Sequence, residues 1–167
     1  RLKTGNGLIG LDIDHYDPTV VQQIKNEAEK RFGVGLARIG QPPKILLLYR
    51  CDFITKKQTL ELAPSGKAPE GKSEALEVLS KGQQAVVSGI HPETNAPYFW
   101  QTIEPWDILA GQLNRLPLIR ENEWTAFLAY VQETFGQTLK TTSKHDGKNS
   151  LTLKMMRCRA ELLKNYW

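Results

Sequence analysis

From Gly7 to Asp14 the chain alternates with a period of two, so that Ile9, Leu11 and Ile13 share one face of an extended strand while Leu8, Gly10, Asp12 and Asp14 share the other. The period then lengthens. Asp17 is a good N-cap, Pro18 suits a first helical position, and Val21, Ile24, Ala28 and Phe32 recur at helical spacing up to Gly33, which predicts a helix over residues 18–32. VGLARIG and KILLLYRC read as two strands joined through Gly40, Gln41, Pro42 and Pro43. Residues 52–73 shift to Lys, Pro, Gly and Ser and read as a long exposed connection, with room for a short strand from Thr59 to Leu62. EALEVL and QAVVSGI predict a strand pair around Ser80, Lys81 and Gly82, and PYFWQ predicts a further short strand. A second helix is predicted from about Asn122 to Phe135, where Trp124, Phe127, Leu128, Val131 and Phe135 form one apolar stripe.

These elements predict an α+β fold, α/β-like in layout: a mixed or antiparallel sheet with acidic residues on one face and flanking helices on the other. With 167 residues, 40% of them apolar, the chain can bury one core and is short for two. Residues 1–136 read as that core, and residues 137–167 as a polar linker followed by a terminal helix in LTLKMMRCRAELLKNYW. No internal repeat is present. The opening RLKTGNGLIGLDID has no initiator Met and enters a strand almost at once, so the chain is expected to lack an N-terminal segment.

Composition adds little to this picture. Twenty-two Lys and Arg against 18 Asp and Glu give a net charge of +4, which favours a polyanionic partner but is common among proteins that bind none. Cys51 and Cys158 stand alone, with neither a CxxC pair nor a partnering His, so the pattern indicates no zinc site and no disulfide framework and fits a reducing cytoplasm. No apolar run approaches the roughly 20 residues of a membrane span, and the first residues carry no signal-peptide pattern; no membrane partner is expected.

Three constellations carry candidate chemistry. Asp12 and Asp14, two residues apart on a strand, point to one side and can share a metal, although acids are also common where strands run out into turns. His15 and Asp17 follow, compatible with plain solvated turn residues. Arg38, Lys44 and Arg50 frame the Gly-Pro connection; they would suit a triphosphate, or simply border an apolar strand as surface cations. Glu77 sits within an apolar strand, and Ser88 and His91 follow in a loop that leads to Tyr98 and Trp100. Singly, each of these has an ordinary structural explanation: a solvent-facing acid, a loop histidine, aromatic residues of a core.

Their order along the chain is more specific than any one of them. GLIGLDID, RIGQPPKILLLYR and ALEVLSKGQQAVVSGIHPETNAPYFW, taken together, resemble the primase-polymerase domain of the archaeo-eukaryotic primase superfamily, as found in plasmid and phage replication proteins. The resemblance covers most of residues 5 to 100. It implies a primase-polymerase catalytic core that works as a template-directed nucleotidyltransferase, a DNA primase and polymerase, with two Mg²⁺ or Mn²⁺ ions. Asp12, Asp14 and Glu77 would be its catalytic, metal-binding acids, and Arg38, Lys44, Arg50, Ser88 and His91 would bind the nucleotide. The implied partners are a DNA template and primer, NTP or dNTP, and a helicase domain or protein. Lys44 stands where many relatives carry a His between the two acidic motifs; a Lys offers a point charge in place of a directional ring nitrogen. In a competing registration Ser88 to His91 forms the nucleotide motif and the third acid is Glu104 or Asp107, which surround Pro105 in an apparent turn. Relatives usually carry several tens of residues before the first acidic strand. Two other functions fit the same residues: a catalytically idle DNA-binding replication-initiation module, and a metal-dependent nuclease.

Overall fold

A computed structural model of the protein describes residues 1–53, 56–101, 105–106 and 110–137. Glu104, Asp107, Cys158 and the expected linker and terminal helix lie outside the described residues. The described chain is α+β: nine strands, β1 (Leu2–Lys3), β2 (Leu8–Asp14), β3 (Leu36–Ile39), β4 (Ile45–Cys51), β5 (Gln58–Glu61), β6 (Ala75–Leu79), β7 (Gln84–Ala85), β8 (Phe99–Trp100) and β9 (Leu118–Ile119), with helices α1 (Pro18–Phe32) and α2 (Glu121–Phe135).

The main sheet runs in the order β5-β6-β2-β4-β3-β8, with every neighbouring pair antiparallel. β9 adds the one parallel pairing among the described strands. It takes up the edge of β4 at Arg50 and Cys51, past the last β3 partner at Leu48. The strand after β6 departs from the sequence expectation. Gln83 N–H does bond to the Ser80 carbonyl and Gly82 has φ 84°, so the turn forms, but β7 pairs with β1 and not back onto β6. Both edges of β6 are already taken, by β2 and by β5, and the chain beyond the turn has no β6 backbone left to pair with.

The period of β2 sorts the core. Ile9, Leu11 and Ile13 pack with Leu47, Tyr49, Leu76 and Val78 against the two helices, which contribute Val21, Ile24, Ala28 and Phe32 from α1 and Trp124, Phe127 and Val131 from α2. Rings meet there edge to face, Phe32 with Tyr49 at 5.6 Å and with Phe127 at 5.2 Å between centroids. α1 starts where expected, with the Asp17 carboxylate accepting the Thr19 N–H at 2.9 Å, and it ends at Gly33 (φ 89°). At the start of α2 the Glu123 carboxylate reaches back to the Arg120 N–H. On the opposite sheet face a smaller apolar cluster of Leu8, Leu36, Leu46, Leu48, Leu79, Ala85 and Leu116 fills only one end, beneath the β1–β7 ribbon. The other end is left to polar residues. His15 is not solvated as its turn position suggested; it is buried, with Nδ1 accepting the Asp17 N–H and Nε2 facing the Ala63 carbonyl at 3.1 Å.

Phe127 contacts both helices' aromatic partners and is fully buried. Phe127→Ala is expected to lower stability by about 3–5 kcal/mol, measured as a shift in the denaturant midpoint at unchanged slope.

Candidate functional site

Because β2 is paired in register on both sides, one row of residues crosses the sheet: Thr59, Glu77, Asp12, Leu46, Arg38 and Trp100, on β5, β6, β2, β4, β3 and β8 respectively. Directly opposed residues share a face, so Glu77 and Asp12 are neighbours, and Arg38 stands two strands away across Leu46. Asp14 comes one step further along β2, next to Lys44 just ahead of β4. A cavity of about 440 Å³ opens over this face, and Asp12, Asp14, Glu77, Arg38, Lys44 and His91 all line it.

The other two expected nucleotide ligands stand elsewhere. Arg50 is four residues along β4 from Leu46, roughly 13 Å at strand rise, where it is opposed by Leu8 and Leu118; it does not line the cavity. Ser88 is exposed in the loop before His91 and does not line it either. Lys44 and Arg50 are six residues apart, an even spacing that gives two strand residues a common face but says nothing of distance along it.

Each charge in the cavity has a definite environment. Burial is the main influence on Asp12 and, with Asp14 and Glu77 adding repulsion, outweighs the attraction of Arg38 and Lys44; the carboxyl is pushed up to about 6. Arg38 is buried beneath Tyr98, its guanidinium 4.6 Å from the ring centroid, and its Nε finds no hydrogen-bond partner among the described residues. Burial lowers the guanidinium's pKa, opposed by Asp12 and Tyr98. Lys44 pairs with Asp14 at 2.7 Å and donates to the Tyr16 hydroxyl at 2.9 Å. Burial works against its charge, but these two oxygens prevail and its pKa rises. Glu77 pairs with Lys57 at 3.4 Å.

The His91 loop is fixed from within. Its Nδ1 accepts the N–H groups of Glu93 and Thr94, the Thr94 hydroxyl donates to the Gly40 carbonyl, and the ring lies edge-on to Tyr98 at 5.3 Å. With Nδ1 an acceptor, the neutral ring carries its proton on Nε2. Gly40 is what lets this loop close on the β3–β4 turn: a Cβ there would come within 2.7 Å of the His91 ring and closer still to Tyr98. Tyr98 thus supports the loop and covers Arg38, whereas the Trp100 indole donates to the Val87 carbonyl and packs on the smaller apolar cluster.

Two cavity residues had no signal in the sequence. Lys72 and Glu93, from the connection before β6 and from the His91 loop, also line the cavity and pair with each other at 3.0 Å. Both come from polar stretches in which such residues are ordinary.

Among the described residues no three His, Cys, Asp or Glu side chains form a group that could hold a metal ion. Asp12, Asp14 and Glu77 share a face and a cavity, but Asp14 and Glu77 are each drawn to a lysine. All three nevertheless present hard carboxylate oxygens, the donor type that suits Mg²⁺ or Mn²⁺. No helix among the described residues is long and apolar enough to cross a membrane. No family model matches the chain, and no curated protein or solved structure matches it.

The Asp12 shift has a definite sign. Its folded pKa lies above the ordinary value of 3.8, so between about pH 4 and pH 6 the folded state holds more protons than the unfolded one, and stability falls as pH rises through that window. In metal-free protein, Asp12→Asn is expected to gain stability on the order of 1–3 kcal/mol at pH 7 and to flatten the pH dependence between 4 and 6, as read from denaturant midpoints.

Proposed function

We propose that the chain is a template-directed nucleotidyltransferase of the primase-polymerase type, extending nucleic acid on a DNA template from nucleoside triphosphates. The observation that carries this reading is the content of a single cavity: three carboxylates from β2 and β6 beside a stacked arginine, a lysine and a histidine. Its volume of about 440 Å³ is in the range of small-molecule sites.

Extension joins a primer 3′-hydroxyl to the α-phosphate and releases pyrophosphate, so negative charge builds on both the attacking and the leaving oxygen. Asp12, Asp14 and Glu77 would hold Mg²⁺ or Mn²⁺, which supplies the neutralisation of those two oxygens when bound. Arg38 offers paired donors to a phosphate, and the Tyr98 ring over it limits the rotamers it must give up. Lys44 gives a point charge. His91, with its Nδ1 already occupied by the backbone, presents an Nε2–H donor. Fixed donors of this kind hold the triphosphate so that its α-phosphate stays in line with the attacking hydroxyl.

A second reading has its own support. Lys44 and Lys57 already balance Asp14 and Glu77, as they would in a catalytically idle DNA-binding module that never takes up metal.

Primer extension in Mn²⁺, with primer degradation scored in the same lanes, separates these readings. Asp12→Asn, Asp14→Asn and Glu77→Gln are each expected to reduce extension by about a hundredfold or more while template binding persists. Paramagnetic resonance should show Mn²⁺ bound to the wild type and released by Asp12→Asn. Wild-type protein that neither extends primer nor binds Mn²⁺ would leave the idle module, and degradation without extension would indicate a nuclease. Normal extension by Glu77→Gln with an inactive Asp107→Asn would move the third acid downstream.

A further inference from the structure

Lys72 and Glu93 face each other across the cavity from two separately anchored loops. On one side, Lys72 closes a turn in which its N–H bonds to the Pro69 carbonyl and Gly71 takes φ 76°. Two residues later the Glu74 carboxylate, itself buried, accepts N–H groups from Tyr16 at 2.8 Å and Ser65 at 2.6 Å, which ties both ends of this connection to the turn after β2. On the other side, Glu93 is held by the His91 ring and by the Thr94 bond to Gly40. Both backbones are tied by these bonds, and the pair can open by side-chain rotation alone.

Energetics favour exchange. Lys72 and Glu93 are each about half exposed, at 52% and 46%, and an ion pair of that exposure contributes little. Cationic hydrogen bonds to a phosphate are stronger. The acids deep in the cavity leave Lys72 where it is, because Asp14 and Glu77 already have Lys44 and Lys57.

We propose that Lys72 is a further phosphate ligand of this cavity, held in place by Glu93 until a triphosphate takes its ammonium. The proposal rests on the nucleotide reading of the same site. In the empty site Glu93 keeps the lysine extended over the cavity; in the filled site Lys72 meets phosphate oxygens, and the Glu93 carboxylate is released to water at the mouth.

The test is calorimetric titration of the full chain with a non-hydrolysable deoxynucleoside triphosphate, and separately with inorganic tripolyphosphate, in Mn²⁺ at low salt. Lys72→Ala is expected to weaken both ligands about tenfold, with Lys72→Arg close to wild type. Glu93→Gln should tighten both about threefold by removing the competitor. The double variant should match Lys72→Ala within about twofold, because Glu93 acts through Lys72. An equal gain from Glu93→Gln in the Lys72→Ala background would overturn the exchange and make Glu93 a general source of negative field. Wild-type affinity in Lys72→Ala alongside weak binding in Lys44→Ala would remove Lys72 and leave the nucleotide reading standing. A wild type that binds neither ligand would remove both.

Discussion

A slip of one residue between β2 and either neighbour would carry Asp12 and Asp14 into the layer that holds Phe32 and Phe127, and would lift Ile9, Leu11 and Ile13 into the cavity. The register of this strand is the constraint from which the rest follows. It is held on both sides, by β4 from Leu8 to Ile13 and by β6 from Gly10 to Asp14. The helices reinforce it, because they can cover only an apolar face. Glu77 and Arg38 then reach the cavity without any device of their own; each is carried there by being opposite a residue already fixed.

The cost of the arrangement is concentrated at Asp12. An acid of this kind, half-buried between two other carboxylates, is less stable ionised than in water, and the surroundings offset this with Arg38 on the far side of Leu46. Lysines are spent on the outer acids. Asp14 and Glu77 are satisfied one by one, while Asp12 shares its compensation with the whole site. A cavity built in this way is more sensitive to the charge of what enters it than to its shape.

Much of this was legible in the sequence wherever a strong period coincided with a strong terminator. The alternation of β2, and the helix between Asp17 and Gly33, needed no tertiary information. The shared face of Asp12 and Asp14 came from the same period. Residues that depend on which strands are neighbours were less accessible: the chain after Ser80 has the composition of a returning strand, and only the prior claim of β5 on the β6 edge sends it to β1. β9, two residues long, has no periodicity to read. His15 looked like a turn residue because only its bond with the Asp17 N–H is local, while the Ala63 carbonyl reaches its other ring nitrogen only when residues 63–74 fold back. Lys72 and Glu93 were hidden for the same reason, and Arg50 was grouped with Arg38 and Lys44 because all three frame one connection in sequence, whereas the length of β4 carries it away from the cavity. The resemblance to primase-polymerases stays with the three motifs that carry it.

The order of the central strands also bears on how the chain is made. β6 follows its partner β2 only after the sixty-five residues that separate Asp12 from Glu77. At a ribosomal rate of about 5–20 residues per second, that interval is roughly 3–13 s. α1 and β4 emerge within it and can shelter Ile9, Leu11 and Ile13, but the β6 side of β2 keeps its backbone groups unpaired throughout. The nascent chain therefore carries an open strand edge for seconds, a window in which a holding chaperone, or slow translation through the polar connection before β6, would govern the yield of folded protein.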